Sequence, residues 1–312
     1  MAAGPRSPIL VIKLGALGDF VQALGPFAAI RRHHAADHVT LMTTPPFEEL
    51  ARQSRYFDAV LLDLRPPWWR PGGWLGLRAR LRAGGFTRVY DLQTSDRSAA
   101  YFQLLRPGPR PQWSGIARGC SHPHDNPRRD AMHTLERQAE QLSLAGIAEV
   151  PPPDLGWARA EVSRFGLAPR YALLVPGGAA HRPGKRWPAA RYAELARRLA
   201  ASGIEPVLIG GADQSALLAH VAAAAPGGHD LAGRTSLAEL AVLARAAAAA
   251  VGNDTGPMHL IAAAGCPTLV LFSDASDPAL CAPRGPAVGI LQRPDLGDLA
   301  VEAVEAALHP RA

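Results

Sequence analysis

A short apolar run, then a glycine-bearing turn, then a stretch with helical spacing recurs along this chain, and that recurrence limits its fold more than any other feature. Ile9 to Leu14 (ILVIKL) is the first such run. An apolar segment without polar alternation is how a strand reads when both faces of a parallel sheet are covered. Similar runs stand at Val39 to Met42, Val60 to Leu64 and Val89 to Leu92, with helical patterns near Phe47 to Gln53, Leu75 to Leu81 and Ser98 to Leu105. Alternation of strand and helix implies crossover connections and hence a parallel sheet. After a helical pattern at Thr134 to Ala145, the proline run in Glu149 to Leu155 suits a stiff connector. The pattern then restarts, with strands at Ala172 to Val175, Pro206 to Ile209, Ala249 to Val251 and Thr268 to Phe272 and helices such as Ala189 to Ala201 and Pro257 to Ala264. The expectation is an α/β chain of two Rossmann-like domains with parallel sheets facing a central cleft, residues 1–155 and 156–312. Leu299 to Leu308 reads as an amphipathic surface helix.

Composition narrows the classes of partner. A hydrophobic fraction of 48% in 312 residues allows sizeable cores. Apolar runs are too short or too interrupted by glycine and proline for a membrane span. The beginning, MAAGPRSPILVIK, enters a strand-like run without the apolar segment of a secretory leader, so a cytoplasmic location is expected. Cys120, Cys266 and Cys281 are widely spaced and without a CxxC pair, and read as packing residues. Residues 1–160 hold 20 Arg/Lys against 14 Asp/Glu, while residues 161–312 hold 13 against 13. The surplus charge of the first half points to an anionic partner there. Nucleic acid is not expected, since the basic residues are dispersed and no recognition module is present.

Three segments carry chemistry. In KLGALGD, Lys13 to Asp19, two glycines and a carboxylate occupy a strand-to-helix turn, where doubly wound sheets bind ligands. Gly15 and Gly18 do not complete a GxGxxG fingerprint, which argues against a nicotinamide dehydrogenase. Asp19 reads either as a helix N-cap or as a chemical group. In GNDTGPMH, Gly252 to His259, Pro257 suits the first turn of a helix whose N-terminal N–H groups would face a diphosphate, with Thr255 and Gly256 allowing close approach. In PGGAAHRPGKRWP, Pro176 to Pro188, Lys185 offers a flexible charge and Arg182 and Arg186 planar forks for phosphate. The cleft between the domains is the expected site.

These motifs, with LIGGADQ, DLAGRTSLAEL and LFSDASDP following in order, resemble those of the glycosyltransferase family 9 heptosyltransferases of lipopolysaccharide core synthesis over nearly the whole chain. The resemblance implies a GT-B fold and an inverting, metal-independent transfer from an ADP-heptose donor held mainly by the C-terminal domain, with a core-oligosaccharide or glycolipid acceptor on the N-terminal one. It implies Asp19 as general base. Lys185 would hold the donor phosphates, Asp254, Thr255, Gly256 and His259 would bind the donor, and Asp213 or Gln214 would contact the ribose. Lys13, Gly15 and Gly18 would form the acceptor-side turn. The chain departs from the family's usual pattern at Ser273 to Pro278 (SDASDP) and at Ala179 and Ala180, where hydroxyl residues are common. A catalytically silent nucleotide-sugar-binding scaffold, or a member using another nucleotide sugar, are the alternatives.

Two further segments stand apart from these motifs. In Arg65 to Arg82, Trp68, Trp69 and Trp74 sit among arginines, as a peripheral contact with the inner face of a membrane would require; a basic helix whose tryptophans pack on the domain is the rival reading. His122, His124, Asp125 and His133 have ligand chemistry, but HPHDNPRRD is proline-interrupted and reads as a mobile loop, so no metal is expected.

Overall fold

The structure, a computed structural model, describes residues 6–178 and 182–311. The chain divides into two units, Met1–Pro152 and Pro153–Ala312. The division falls inside the proline run Pro151 to Pro153, where consecutive rings lock the backbone extended.

In the N-terminal unit six strands form one sheet: β1 Pro8–Ile12, β2 His38–Thr43, β3 Ala59–Leu62, β4 Arg88–Asp91, β5 Gln112–Gly115 and β6 His122–Pro123. Their order is β3-β2-β1-β4-β5-β6, and every pairing is parallel. This is the doubly wound order, in which the chain reverses its direction of winding between β1 and β4. Ile9 to Ile12 are fully buried because helices cover both faces; on one face Leu77, Leu81, Tyr101, Phe102 and Trp113 pack around Leu10 and Ile12.

The C-terminal unit repeats the plan with β7 Tyr171–Val175, β8 Glu205–Leu208, β9 His229–Asp230, β10 Ala249–Asn253, β11 Thr268–Phe272 and β12 Val288–Gln292. The order is β12-β11-β10-β7-β8-β9, again all parallel, with the reversal between β7 and β10. On one face the helix Ala189–Ala201 and the terminal helix Val301–Ala307 pack on Leu174, Val251 and Leu271 through Trp187, Tyr192, Leu195 and Val304. Gly252, in the middle strand, has no room for a side chain: a Cβ there would lie 2.4 Å from Met258 Sδ and 2.8 Å from Val175. The helix after β10 can therefore approach the sheet closely.

The elements expected from apolar runs are present, with ends shifted by a few residues, and four strands are additional. β5, β6, β9 and β12 lie toward the sheet margins and lack a continuous apolar run. HPHDNPRRD, expected as a mobile loop, instead supplies β6: Pro123 is tolerated at an edge where no N–H is needed, and the His124 N–H donates to Gly115 O at 2.8 Å.

Candidate active site

In the N-terminal unit the turn after β1 is seated on an aromatic stack. Phe20, fully buried, lies face to face with Phe47 at 4.6 Å and edge-on to Phe27 at 5.4 Å. Gly15, at φ +114°, has its Cα against the same Phe47 ring, where a Cβ would come within 2.8 Å. Stacking on this scale contributes about 0.5–1.5 kcal/mol per pair beyond burial. Gly18 falls in the first turn of the helix Leu17–Gln22 that follows. Asp19 is not its N-cap. Ala16 holds that position in extended geometry, and Asp19, three residues on, turns its Oδ2 back to accept from the Ala16 N–H at 3.2 Å. This is the carboxylate half of a capping box, and it leaves the other oxygen of Asp19 for other partners.

Asp19 lines a polar cavity of about 260 Å³ with Lys13, Gln93, Arg129, Arg137 and Gln138. Lys13 directly follows β1 and donates from Nζ to Leu92 O, just past β4, at 3.0 Å, tying the ends of the two strands of the winding reversal together. Burial lowers its pKa, opposed by the nearby charges of Asp19 and Asp91. Asp91, fully buried at the end of β4, accepts at Oδ1 from the N–H groups of Gln93 (3.1 Å) and Thr94 (3.0 Å). Burial pushes its carboxyl up to about 6 against those bonds and the Lys13 charge. Gln138 Oε1 is buried without a hydrogen-bond partner among the described residues. The cavity can therefore receive a hydroxyl or an anion: it presents two carboxylates, Asp19 and the largely exposed Asp130, an unfilled amide acceptor and three cationic side chains.

In the C-terminal unit the loops after β7 and β10 are fastened to each other by Asn253. Its Nδ2 donates to Pro176 O (2.9 Å) and Gly177 O (3.0 Å), and its Oδ1 accepts from the Trp187 N–H (2.9 Å) and the Tyr192 hydroxyl (3.1 Å). Trp187 is locked in turn by its own Nε1 bond to Leu299 O at 2.9 Å. Within that frame Lys185 Nζ meets Asp254 Oδ2 at 2.6 Å, both side chains nearly buried. The pair holds the ammonium in one place, so little side-chain freedom is lost when it also meets an anion, while the Asp254 charge offsets part of its attraction. Thr255 caps the helix Gly256–Ala263 by backbone geometry alone; its Oγ1 is buried and makes no hydrogen bond to a described residue. Gly256 is the first helical residue, Pro257 the second, and His259, largely buried, sits in the same first turn. The N–H groups of this turn point along a dipole suited to a diphosphate.

Gln214 is packed against this frame, since a Cβ at Gly177 would fall 1.8 Å from its Oε1. Asp213, one residue earlier in a short turn, is exposed. Arg186 turns inward to donate to Gly178 O at 2.7 Å, whereas Arg182 is exposed. Ala179 and Ala180 lie outside the described residues. The divergent SDASDP segment is a capped turn: Asp277 Oδ1 accepts from the Ala279 N–H at 2.8 Å.

The histidine cluster has other employment. His133 Nδ1 accepts from the Leu135 N–H at the start of a helix, His122 Nδ1 pairs with Ser121 Oγ, and His124 Nε2 stands 3.4 Å from Glu140. Among the described residues no group of three or more His, Cys, Asp or Glu side chains is arranged to hold a metal ion. Asn253, Asp91, Arg129, Arg137 and Gln138 escaped the sequence reading of the site. Only Asn253 had a local signal, its place inside GNDTGPMH; the others reach the cavity by folding.

The family model of glycosyltransferase family 9 (heptosyltransferase) matches residues 74–300. Lipopolysaccharide heptosyltransferase 2 of Salmonella typhimurium is 38% identical, the match covering 72% of this chain and 77% of that protein. Among solved structures, E. coli ADP-heptose lipopolysaccharide heptosyltransferase II aligns at a TM-score of 0.80 with 23% identity, covering 96% of each chain. E. coli heptosyltransferase WaaC with ADP aligns at 0.76 with 22% identity, covering 96% of this chain and 98% of that one. Two doubly wound α/β units of this kind are those of the GT-B glycosyltransferases. With the family model matched over most of its length and a curated relative at that identity, this chain belongs to glycosyltransferase family 9 and is a glycosyltransferase.

Proposed function

We propose that the chain transfers a heptose from ADP-heptose to a lipopolysaccharide core or related glycan acceptor, with inversion and without a metal ion, and that residues 156–312 bind the donor and residues 1–155 the acceptor. The observation that carries this reading is the Lys185–Asp254 pair beside the open first turn of Gly256–Ala263, a cation and a helix terminus converging where β7 and β10 end. Relatives support the donor: one solved neighbour holds ADP and another ADP-2-deoxy-2-fluoro heptose.

In the proposed reaction Lys185, the Thr255 hydroxyl, the N–H of Gly256 and His259 hold the diphosphate and stabilise the charge that grows on it as the glycosidic bond breaks. Asp213 or Gln214 contacts the ribose. Asp19, its carboxylate oriented by the Ala16 N–H, accepts the proton of the acceptor hydroxyl as that oxygen attacks the anomeric carbon from the face opposite ADP. Lys13 and the turn glycines Gly15 and Gly18 keep that carboxylate in position. Attack opposite the leaving group inverts the configuration.

Calorimetric titration of the purified protein with ADP, UDP and GDP, in chelator, tests the donor. Selective ADP binding is expected. Preference for UDP or GDP would replace the donor, and a requirement for divalent metal would remove the metal-independent step.

A further inference from the structure

We propose that the face formed by Leu64 to Arg82 docks on an anionic lipid bilayer. Among the described residues six large hydrophobic side chains are exposed, and four of them fall here: Leu64 (71%), Trp68 (60%), Trp69 (79%) and Leu75 (61%). Solvation of so much apolar surface in one place is unfavourable unless something covers it.

The patch is built rather than frayed. Trp68 stacks on Trp74 at 4.5 Å, and Arg97 lies over both rings at 5.8 and 5.0 Å. Arg97 is itself held 3.6 Å from the buried carboxylate of Asp63. Trp74 Nε1 donates to Pro67 O at 3.0 Å, fixing the bend that enters the helix Pro71–Ala83. Trp68, Pro71, Trp74, Leu75, Arg78 and Leu104 enclose an apolar groove of about 350 Å³, room for a few methylene groups of an acyl chain. The rival expectation, tryptophans packed on the domain, holds for Trp74 and for one face of Trp68 but not for Trp69.

Charge selects the occupant. From Leu64 to Tyr90 the chain has six arginines and no carboxylate. Arg65, Arg70, Arg78, Arg80 and Arg82 form no ion pair among the described residues, and Asp63, the carboxylate just before this stretch, is engaged by Arg97. Several donate to backbone carbonyls, Arg80 to Leu62 O at 2.8 Å and Arg78 to Leu104 O at 3.0 Å, which orients them but leaves their charge uncompensated. Tryptophan and leucine ringed by arginine is the composition of an interfacial anchor on anionic headgroups. Base stacking on nucleic acid would use the tryptophans but not the exposed leucines.

The face also adjoins the turn that carries Asp19. Arg65 Nη2 donates to Leu14 O at 2.8 Å, and Leu64 and Arg65 line an open groove of about 430 Å³ with Gly15, Ala16 and Phe47. Docking here would bring a lipid-borne hydroxyl to that end of the sheet.

Vesicle binding reads this surface independently of the donor site that ADP titration reads. The full chain is to be sedimented with vesicles of phosphatidylethanolamine containing phosphatidylglycerol, and with phosphatidylcholine vesicles. Binding to the anionic vesicles only is expected, falling about tenfold or more from low to high salt as headgroup charge is screened. Trp69→Ser and Arg70→Glu, at exposed positions, should each weaken it about tenfold with circular dichroism and thermal midpoint unchanged. No binding to anionic vesicles at low salt, or undiminished binding by both variants, would overturn the proposal. So would a dimer of the parent that Trp69→Ser dissociates, or an oligonucleotide that binds this face in preference to vesicles.

Discussion

In the C-terminal unit the residues gathered at the winding reversal come mainly from two short stretches, the loop that ends at Trp187 and Asn253 to His259, with Gln214 packed against them. In the N-terminal unit, with the same strand order, the cavity beside Asp19 draws on four separated segments: Lys13 to Asp19, Leu92 to Thr94, Arg129 and Asp130, and Arg137 to Gln141. A diphosphate can be held by backbone N–H groups at one helix end and a single cation, so its site compresses into short motifs. A cavity of side chains has no such economy. The first kind of site is visible as a string of letters and the second is not.

The largest expected effect separates the two sites outright. Asp19→Ala should lower transfer by about 10²–10⁴-fold, the usual worth of a positioned general base, while ADP affinity stays within about twofold because the substitution lies in the other unit. Steady-state kinetics beside calorimetry checks this, and near-normal turnover would move the base elsewhere.

The next tests whether the C-terminal motifs depend on one anchor. Asn253→Ala leaves the Trp187 N–H and the Gly177 carbonyl without their buried partner, and should cost about 3 kcal/mol in urea unfolding. An unchanged midpoint would mean that the two loops stand without it. Lys185→Ala should raise the ADP dissociation constant about 10–30-fold and also lower stability by about 1–3 kcal/mol, since the nearly buried Asp254 would be left uncompensated beside the diphosphate. Equal weakening by Lys13→Ala would blur the division between the units.

The smallest effect is a pH dependence placed in the N-terminal unit. The folded-state pKa of Asp91, about 6, lies above the ordinary carboxylate value of 3.8, so its protonated form favours the fold. That contribution is complete below about pH 4 and is lost as the pH rises through 6. Asp91→Asn should therefore flatten the decline in unfolding free energy between pH 4 and 7 by about 1–2 kcal/mol, less than the full shift because Lys13 loses a charged neighbour. Parallel pH profiles of parent and variant would exclude Asp91 as the source.

The same contrast explains what was readable in advance. Central strands such as β1 and β10 carry unbroken apolar runs because helices bury both faces, and they were found from the letters alone. The marginal strands β6, β9 and β12, and β5 beside the edge, were not, since these strands are held by pairing with a neighbour and keep polar residues and even Pro123. Asp19 was legible as a carboxylate at a strand-to-helix turn, yet whether it occupied the cap or the third helical position depended on the extended backbone of Ala16.

By itself the sequence determined the repeated βα pattern, the proline run at which the chain divides, the glycine-bearing turns that follow central strands and the concentration of arginine and tryptophan between Leu64 and Arg82. Local spacing and side-chain chemistry suffice for these. Only the tertiary structure decided that Asn253 fastens the loop ending at Trp187, that Arg129, Arg137 and Gln138 meet Lys13 and Asp19, and that Trp74 is packed away while Trp69 stays in water. Those are contacts between residues far apart in the chain, which form because burial rewards them and which no short stretch of sequence encodes.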